Sequence, residues 1–226
     1  MTEGRLFSDA ELAEMGTLTV DAIQRAIDDG EYEKAKGLSR RMYKEFLAMH
    51  DLYRDWVTAT LSFVGRSYGD DVLYEALEEG CSAWISPLME RYGKADPRRK
   101  AQILATGLRG HLQPTKIEED DEKLTFTFEV CPSGGRLVRE GLYEPPRSFY
   151  KIAKPHLMTY GQANFPVYCA HDVFQEILPI EWTGVPLFAC EPAEKPGEGP
   201  CRIHLYKNPQ DIPAKYYERV GKKKPG

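Results

Sequence analysis

No apolar run in this 226-residue chain approaches the roughly 18 to 20 positions needed to span a bilayer. The first residues, MTEGRLFSDAEL, lack both the basic segment and the apolar stretch of a secretory signal. A cytoplasmic protein with no membrane partner is therefore expected. Basic excess is missing too: 30 Lys and Arg against 35 Asp and Glu leave a net charge of −5. No broad phosphate-neutralising surface follows from that balance, so nucleic acid is not an expected partner. Cysteine is scarce and odd in number, five in all, which argues against a disulfide framework and for reduced thiols that are buried, reactive or metal-binding. Internal repeats and low-complexity tracts are absent. What remains is an ordinary globular composition, 42% hydrophobic and 29% charged, long enough to bury a core without staples.

The first 110 residues read as helices. Ser8 and Glu11 have the spacing of a capping box, and that helix stops at Gly16. A second spans about Thr19 to Asp29 and is closed by Gly30. Leu38, Met42, Phe46, Met49, Tyr53, Trp56, Thr60 and Val64 recur at steps of three and four, which predicts one buried stripe on a long helix ending at Gly69. Asp70 or Asp71 caps a further helix through Glu79, with Gly80 and Pro87 interrupting the pattern before Tyr92. Asp96-Pro97 reads as the cap and first residue of a helix ending near Gly110.

Beyond Gly110 the period becomes two. Leu124, Phe126, Phe128 and Val130 alternate with Thr125, Thr127, Glu129 and Cys131, the pattern of a half-buried strand. The acidic run Glu118 to Glu122 predicts a hairpin turn to a strand around His111 to Ile117. From Cys131 to Phe165 no period is present, and a connection so long is expected to be functional. Val167 to Trp182 fits strand or helix. Pro186 to Glu191 and Cys201 to Tyr206 read as two strands, followed by a short terminal helix in PQDIPAKYYERVG. The predicted architecture is α+β: an N-terminal helical bundle, residues 1–110, packed on a mostly antiparallel sheet within 111–226, with the largest pocket between the helical half and the loop 131–165.

Chemistry-bearing residues gather in the second half. In CPSGGR, Gly134 and Gly135 allow backbone N–H groups to converge on an anion, and Arg136 supplies a planar cation for a carboxylate. A thiol at Cys131 beside them ionises easily, the alternative being a tight turn with an inert thiol. Cys169, His171 and Asp172 form the densest reactive cluster. In a strand Cys169 and His171 share a side; in a helix Cys169 and Asp172 converge and His171 turns away. His156, in the irregular loop, completes a candidate ligand set with Cys131, Cys169 and His171 for zinc or iron. Glu129, on the Cys131 side of its strand, is a candidate general base if it faces the cavity. Cys201, in phase with Ile203 and Leu205, reads as a core thiol, and Cys81 and Cys190 as packing residues. His50, Asp51, Arg54 and Asp55 read as a salt-bridged helix flank.

YCAHD, then EWTG, then GPCRIHLYK give residues 120 to 207 a pattern that resembles the L-2-amino-thiazoline-4-carboxylate hydrolase family and, more distantly, four-vinyl-reductase-type small-molecule-binding domains. The resemblance rests on Cys169, Asp172 and Cys201. It implies hydrolytic opening of a small sulfur and nitrogen heterocycle bearing a carboxylate. The expectation is a metal- or thiolate-dependent hydrolase or lyase, with Cys169, His171, Asp172 and Glu129 catalytic and Arg136, Gly134 and Gly135 binding substrate. A bound metal activates a water, or a thiolate attacks and His171 carries the proton. The sulfurs of Cys131 and Cys169 are expected within roughly 4 Å of each other or of a shared ion. The rival expectation is a non-catalytic binding or sensor domain with a structural metal, and either reading admits a homodimer.

Overall fold

The computed structural model describes residues 6–111, 114–129 and 131–225, and its contacts divide the chain into Met1–Tyr53 and Arg54–Gly226. In the first unit, α1 (Asp9–Met15) is capped as its sequence predicts: Ser8 Oγ accepts the Glu11 N–H and Glu11 returns a bond to the Ser8 N–H. Helix α2 (Thr19–Asp28) follows. Thr19 donates to Glu45, which also receives Arg41, at 2.7 Å each. The long helix α3 (Tyr32–Tyr68) carries residues of both units.

Helix α3 corrects the predicted stripe. Met42, Phe46, Met49, Tyr53 and Trp56 are exposed, and the inward positions are Arg54, Thr58, Leu61, Ser62 and Gly65. These polar residues tolerate burial because they bond locally. Thr58 donates to the Arg54 carbonyl and Ser62 to the Thr58 carbonyl, both at 2.6 Å, and Ser62 Oγ accepts the Tyr150 N–H at 2.9 Å. Gly65 is needed where the Tyr150 ring lies, since a Cβ there would sit 2.5 Å from the ring.

Helix α4 (Asp70–Tyr92) runs unbroken through Gly80 and Pro87, where the sequence predicts interruption. Pro87 forfeits its own N–H. The helix continues because its buried stripe, Leu73, Leu77, Cys81, Ile85 and Tyr92, spans both interrupting residues and each large side chain contributes roughly 1.5–3 kcal/mol. Helix α5 (Pro97–Arg109) starts as predicted, with Asp96 accepting the Arg99 N–H at 2.8 Å.

Strands β1 (Lys116–Glu119) and β2 (Lys123–Phe128) form the predicted hairpin, closed by Asp120, whose carboxylate accepts the Glu122 and Lys123 N–H groups. Residues 112 and 113 of the predicted first strand, and Val130 of the second, lie outside the described residues. After β2 come α6 (Gly134–Arg139), the two-residue pair β3 (Lys151–Ile152) and β4 (Phe165–Pro166), and α7 (Ala170–Thr183). Strands β5 (Ala189–Glu191) and β6 (Cys201–Tyr206) and the short α8 (Lys215–Glu218) complete the chain. The main sheet is antiparallel throughout, in the order β1-β2-β6-β5, so the fold is α+β. The β2–β6 register sets Phe126 opposite Ile203 and Phe128 opposite Cys201.

Helix α7 resolves the ambiguous segment as helix. It is buried nearly all round, by Ala170, Val173, Phe174, Ile177, Leu178 and Ile180, which is why its sequence shows no clear period. One side packs with α4, Leu137 and Phe165, and the other with Tyr216, Tyr217 and Val220. No helix among the described residues is long and apolar enough to cross a membrane.

Candidate functional site

Cys131 follows β2, and α6 begins three residues later, so the chain folds back over the cysteine. Its sulfur accepts the Gly135 N–H at 3.2 Å. The neighbouring Cys201 thiol is the largest influence, and with the Gly135 and Ser133 N–H groups it lowers the Cys131 thiol from its ordinary value, against the opposing pull of burial and of the Asp172 charge. Cys201 moves the other way. Its bond to Cys131 and its burial hold the proton on, although the Ala193 N–H reaches its sulfur. Cys131 is thus lowered and Cys201 raised, and both keep some exposure.

The glycines are required by close approach. A Cβ on Gly134 would lie 2.3 Å from Cys169 Sγ, and one on Gly135 would lie 2.7 Å from Cys131 Cβ. Both belong to the first turn of α6 instead of an open anion nest, and the Gly135 N–H is spent on Cys131 itself. Arg136 extends beside Glu140, with Nε 3.7 Å from its carboxylate. Arg139 donates to the Cys131 carbonyl at 2.9 Å and to the Gly197 carbonyl at 3.3 Å, tying the β5–β6 loop to this turn.

Cys169 stands at the entry to α7, its sulfur against Gly134. Burial first, and then the charges of Cys131 and Asp172, push its thiol well above the ordinary range. At neutral pH it holds its proton. The helical fork applies to its neighbours: His171 turns its Nδ1 to the Tyr168 carbonyl and its Nε2 to within 3.2 Å of Asp172, so both ring nitrogens face oxygen atoms. His156 is engaged elsewhere, its Nδ1 accepting the Met158 N–H at 3.3 Å to cap a 3-10 turn. Glu129 is exposed beyond the end of β2. The expected zinc or iron set of Cys131, His156, Cys169 and His171 is therefore not drawn together. Among the described residues no three His, Cys, Asp or Glu side chains form a group able to hold a metal ion, and the residues present do not fit either metal.

No family model, curated protein or solved structure matches the chain.

A second buried cluster adjoins the thiols. Glu176, fully buried on α7, accepts the Cys190 N–H at 2.7 Å and both contacts of the Arg219 guanidinium, which also donates to the Cys190 carbonyl. Burial raises the Glu176 carboxyl to about 7 although Arg219 opposes it. The guanidinium lies over the Tyr160 ring at 4.4 Å and the Tyr216 ring at 4.7 Å. In front of this stack opens a cleft of about 520 Å³ lined by Tyr160, Gln162, Ala193, Glu198, Arg202 and Arg219, among others. Tyr160 and Gln162 come from the long loop. The facing wall is the β5–β6 loop with Arg219. Neither Cys131 nor Cys201 lines this cleft, although Cys201 lies between its lining residues Pro200 and Arg202 in the chain.

Two features escaped the sequence reading. The phase of Cys201 with Ile203 and Leu205 predicts a core thiol, whereas pairing β6 with β2 puts it opposite Phe128 with part of its surface exposed. Glu176 stands out in hindsight as the charged position in the apolar run VFQEILPI.

Proposed function

We propose that this chain is a thiolate-dependent enzyme, a hydrolase or lyase acting on a small carboxylate-bearing heterocycle or amide-like substrate, with Cys131 as nucleophile. The observation that carries the reading is the setting of the Cys131 sulfur at the start of α6, where the Gly135 N–H donates to it at 3.2 Å and favours its anion. A thiolate there attacks an electrophilic carbon. The Cys201 S–H is the adjoining proton source for a departing nitrogen, and water then releases the product from sulfur. The cleft wall carries Arg202 and Arg219 beside Glu191, Glu194 and Glu198, and a substrate carboxylate would pair with the two arginines. Cys169, His171 and Asp172 then shape the surroundings, with Asp172 setting the negative field that Cys131 experiences. Reduced thiols of this kind suit a cytoplasmic protein. The exposed Met42, Phe46 and Met49 on α3 offer an apolar face to a second copy in a homodimer.

A non-catalytic binding domain is favoured by one observation, the exposure of Glu129, which removes the general base expected at the cavity.

The test is alkylation by iodoacetamide between pH 4.5 and 9, with each cysteine followed by peptide mass spectrometry. Cys131 should be labelled first, with the midpoint of its rate profile below that of an ordinary thiol, because rate follows the thiolate fraction. The groups facing it are Cys201, Asp172, Tyr168 and Cys169. Hydrolysis of 2-amino-thiazoline-4-carboxylate should fall at least about 100-fold in Cys131→Ser and far less in Cys169→Ser. A Cys131 midpoint near 9, or a Cys131→Ser protein that keeps its turnover, ends the nucleophile reading.

A further inference from the structure

The Met1–Tyr53 unit leaves its apolar side chains uncovered. Among its described residues only Thr19, Ala26 and Ala35 are buried, and no Leu, Ile, Val, Met, Phe or Tyr side chain is. Single apolar residues scattered over a surface are ordinary, but on α3 they are ordered. Met42, Phe46, Met49 and Tyr53 follow one another at steps of four, three and four, the spacing at which the side chains of two helices interleave. Tyr43 and Leu52 border that line, and all six side chains are between 42% and 55% exposed. At about half exposure such side chains offer roughly 100 Å² each. That is about 600 Å² per copy and about 1,200 Å² for a pair, the lower bound of a specific interface.

We propose that this stretch of α3 pairs antiparallel with the same stretch of a second copy of the chain, about a two-fold axis between Leu47 and Ala48. The proposal deepens the homodimer reading given above and is independent of the nucleophile assigned to Cys131. Steps of four, three and four read the same in both directions, so the line is complementary to itself under a two-fold, as the interface of a symmetric dimer must be. Met42 of one copy then lies opposite Tyr53 of the other, and Phe46 opposite Met49, which makes every layer apolar. Charge sets the direction. Residues 34–44 carry Lys34, Lys36, Arg40, Arg41 and Lys44 and no acid, whereas residues 45–53 carry Glu45 and Asp51 and no Lys or Arg. Packed helices lie about 8–10 Å apart, within about one Debye length at physiological salt. A parallel pair would stack the two basic segments on each other along their whole length. The antiparallel pair sends them to opposite ends. Pairing also accounts for the stripe whose period predicts burial and which a single copy leaves exposed.

The experiment is sedimentation of the full chain across a dilution series. Concentrated wild-type protein should sediment at twice the 25.7 kDa of one chain. Phe46→Glu and Met49→Lys, each at an exposed position, should raise the dimer dissociation constant by at least about 100-fold. Because Phe46 of one copy faces Met49 of the other, an equimolar mixture of the two variants should recover the dimer, with a Glu–Lys pair in one layer and Phe against Met in the other. A parallel seam forms no such pair and gives no recovery. Wild-type protein supplies a reading that needs no variant. Hydrogen peroxide should oxidise Met42 and Met49 more slowly in the dimer than after dilution to monomer, while Met15 of α1, also exposed, is unchanged. A monomer at every concentration overturns the seam and the homodimer reading together. A dimer that survives both substitutions, or whose Met42 and Met49 oxidise at the monomer rate, overturns the seam and leaves the homodimer standing. Variants that are helical by circular dichroism and stay monomeric when mixed overturn the antiparallel pairing.

Discussion

Substituting Gly134 with alanine puts a methyl group where the Cys169 sulfur already is. The added carbon would lie 2.3 Å from that sulfur and 3.2 Å from a Tyr168 ring carbon, against an ordinary contact of about 3.5–4.0 Å. The sulfur must retreat by more than about 1 Å, and it sits at the entry to α7, whose next residue, Ala170, is buried. Overpacking of this kind costs about 1–3 kcal/mol. Opposing it, alanine in a helical turn gains about 0.5–1 kcal/mol over glycine. The net expected loss is about 1–2 kcal/mol, or roughly 2–8 °C in melting temperature for a chain of this length. In a Cys169→Ala background the clash is gone and the helical gain survives, so Gly134→Ala should be neutral or slightly stabilising there. The two changes should thus couple by about 2 kcal/mol. Urea unfolding followed by tryptophan fluorescence measures all four proteins of the cycle, and Trp56, Trp84 and Trp182 all lie in the Arg54–Gly226 unit. Additive effects, or a Gly134→Ala protein as stable as wild type, would refute the contact between α6 and Cys169 on which the site geometry depends.

The buried Glu176 carboxyl should make stability fall with pH. Its folded value is raised to about 7, so its contribution is complete below the ordinary value of 4.5 and is lost as pH rises through about 7. Arg219, the Cys190 N–H and Asp172 are the groups that face it, and Arg219→Leu should cost about 3–5 kcal/mol at pH 8 and clearly less at pH 5, where the carboxyl is protonated. Equal losses in urea titrations at the two pH values would contradict that account. Ser62→Ala removes the acceptor of the Tyr150 N–H and should cost about 1–3 kcal/mol in the same assay, whereas an unchanged midpoint would mean that the bond contributes nothing.

Where a structural choice is made within a few residues, the sequence is readable. The Ser8–Glu11 box and the Asp96-Pro97 start work through atoms three positions apart, and the alternation in LTFTF specifies a strand with one buried face whatever it packs against. Periodicity does not say which neighbour a face will meet. On α3 the apolar stripe is exposed and the Arg54, Thr58 and Ser62 side is buried, because serine and threonine hydroxyls bonded to carbonyls one turn back cost little to bury. On α4 local chemistry at Pro87 opposes the helix, and packing on both sides of it prevails. Of the residues marked for chemistry, Cys131, Cys169 and Asp172 do share one region, while His156, Glu129 and the two ring nitrogens of His171 are directed elsewhere. The sequence by itself determined that a cysteine stands at the end of a strand beside two glycines. Only the tertiary structure decided that β6, with Cys201 at its first position, pairs with β2, because no local pattern of residues records which strand will be the neighbour.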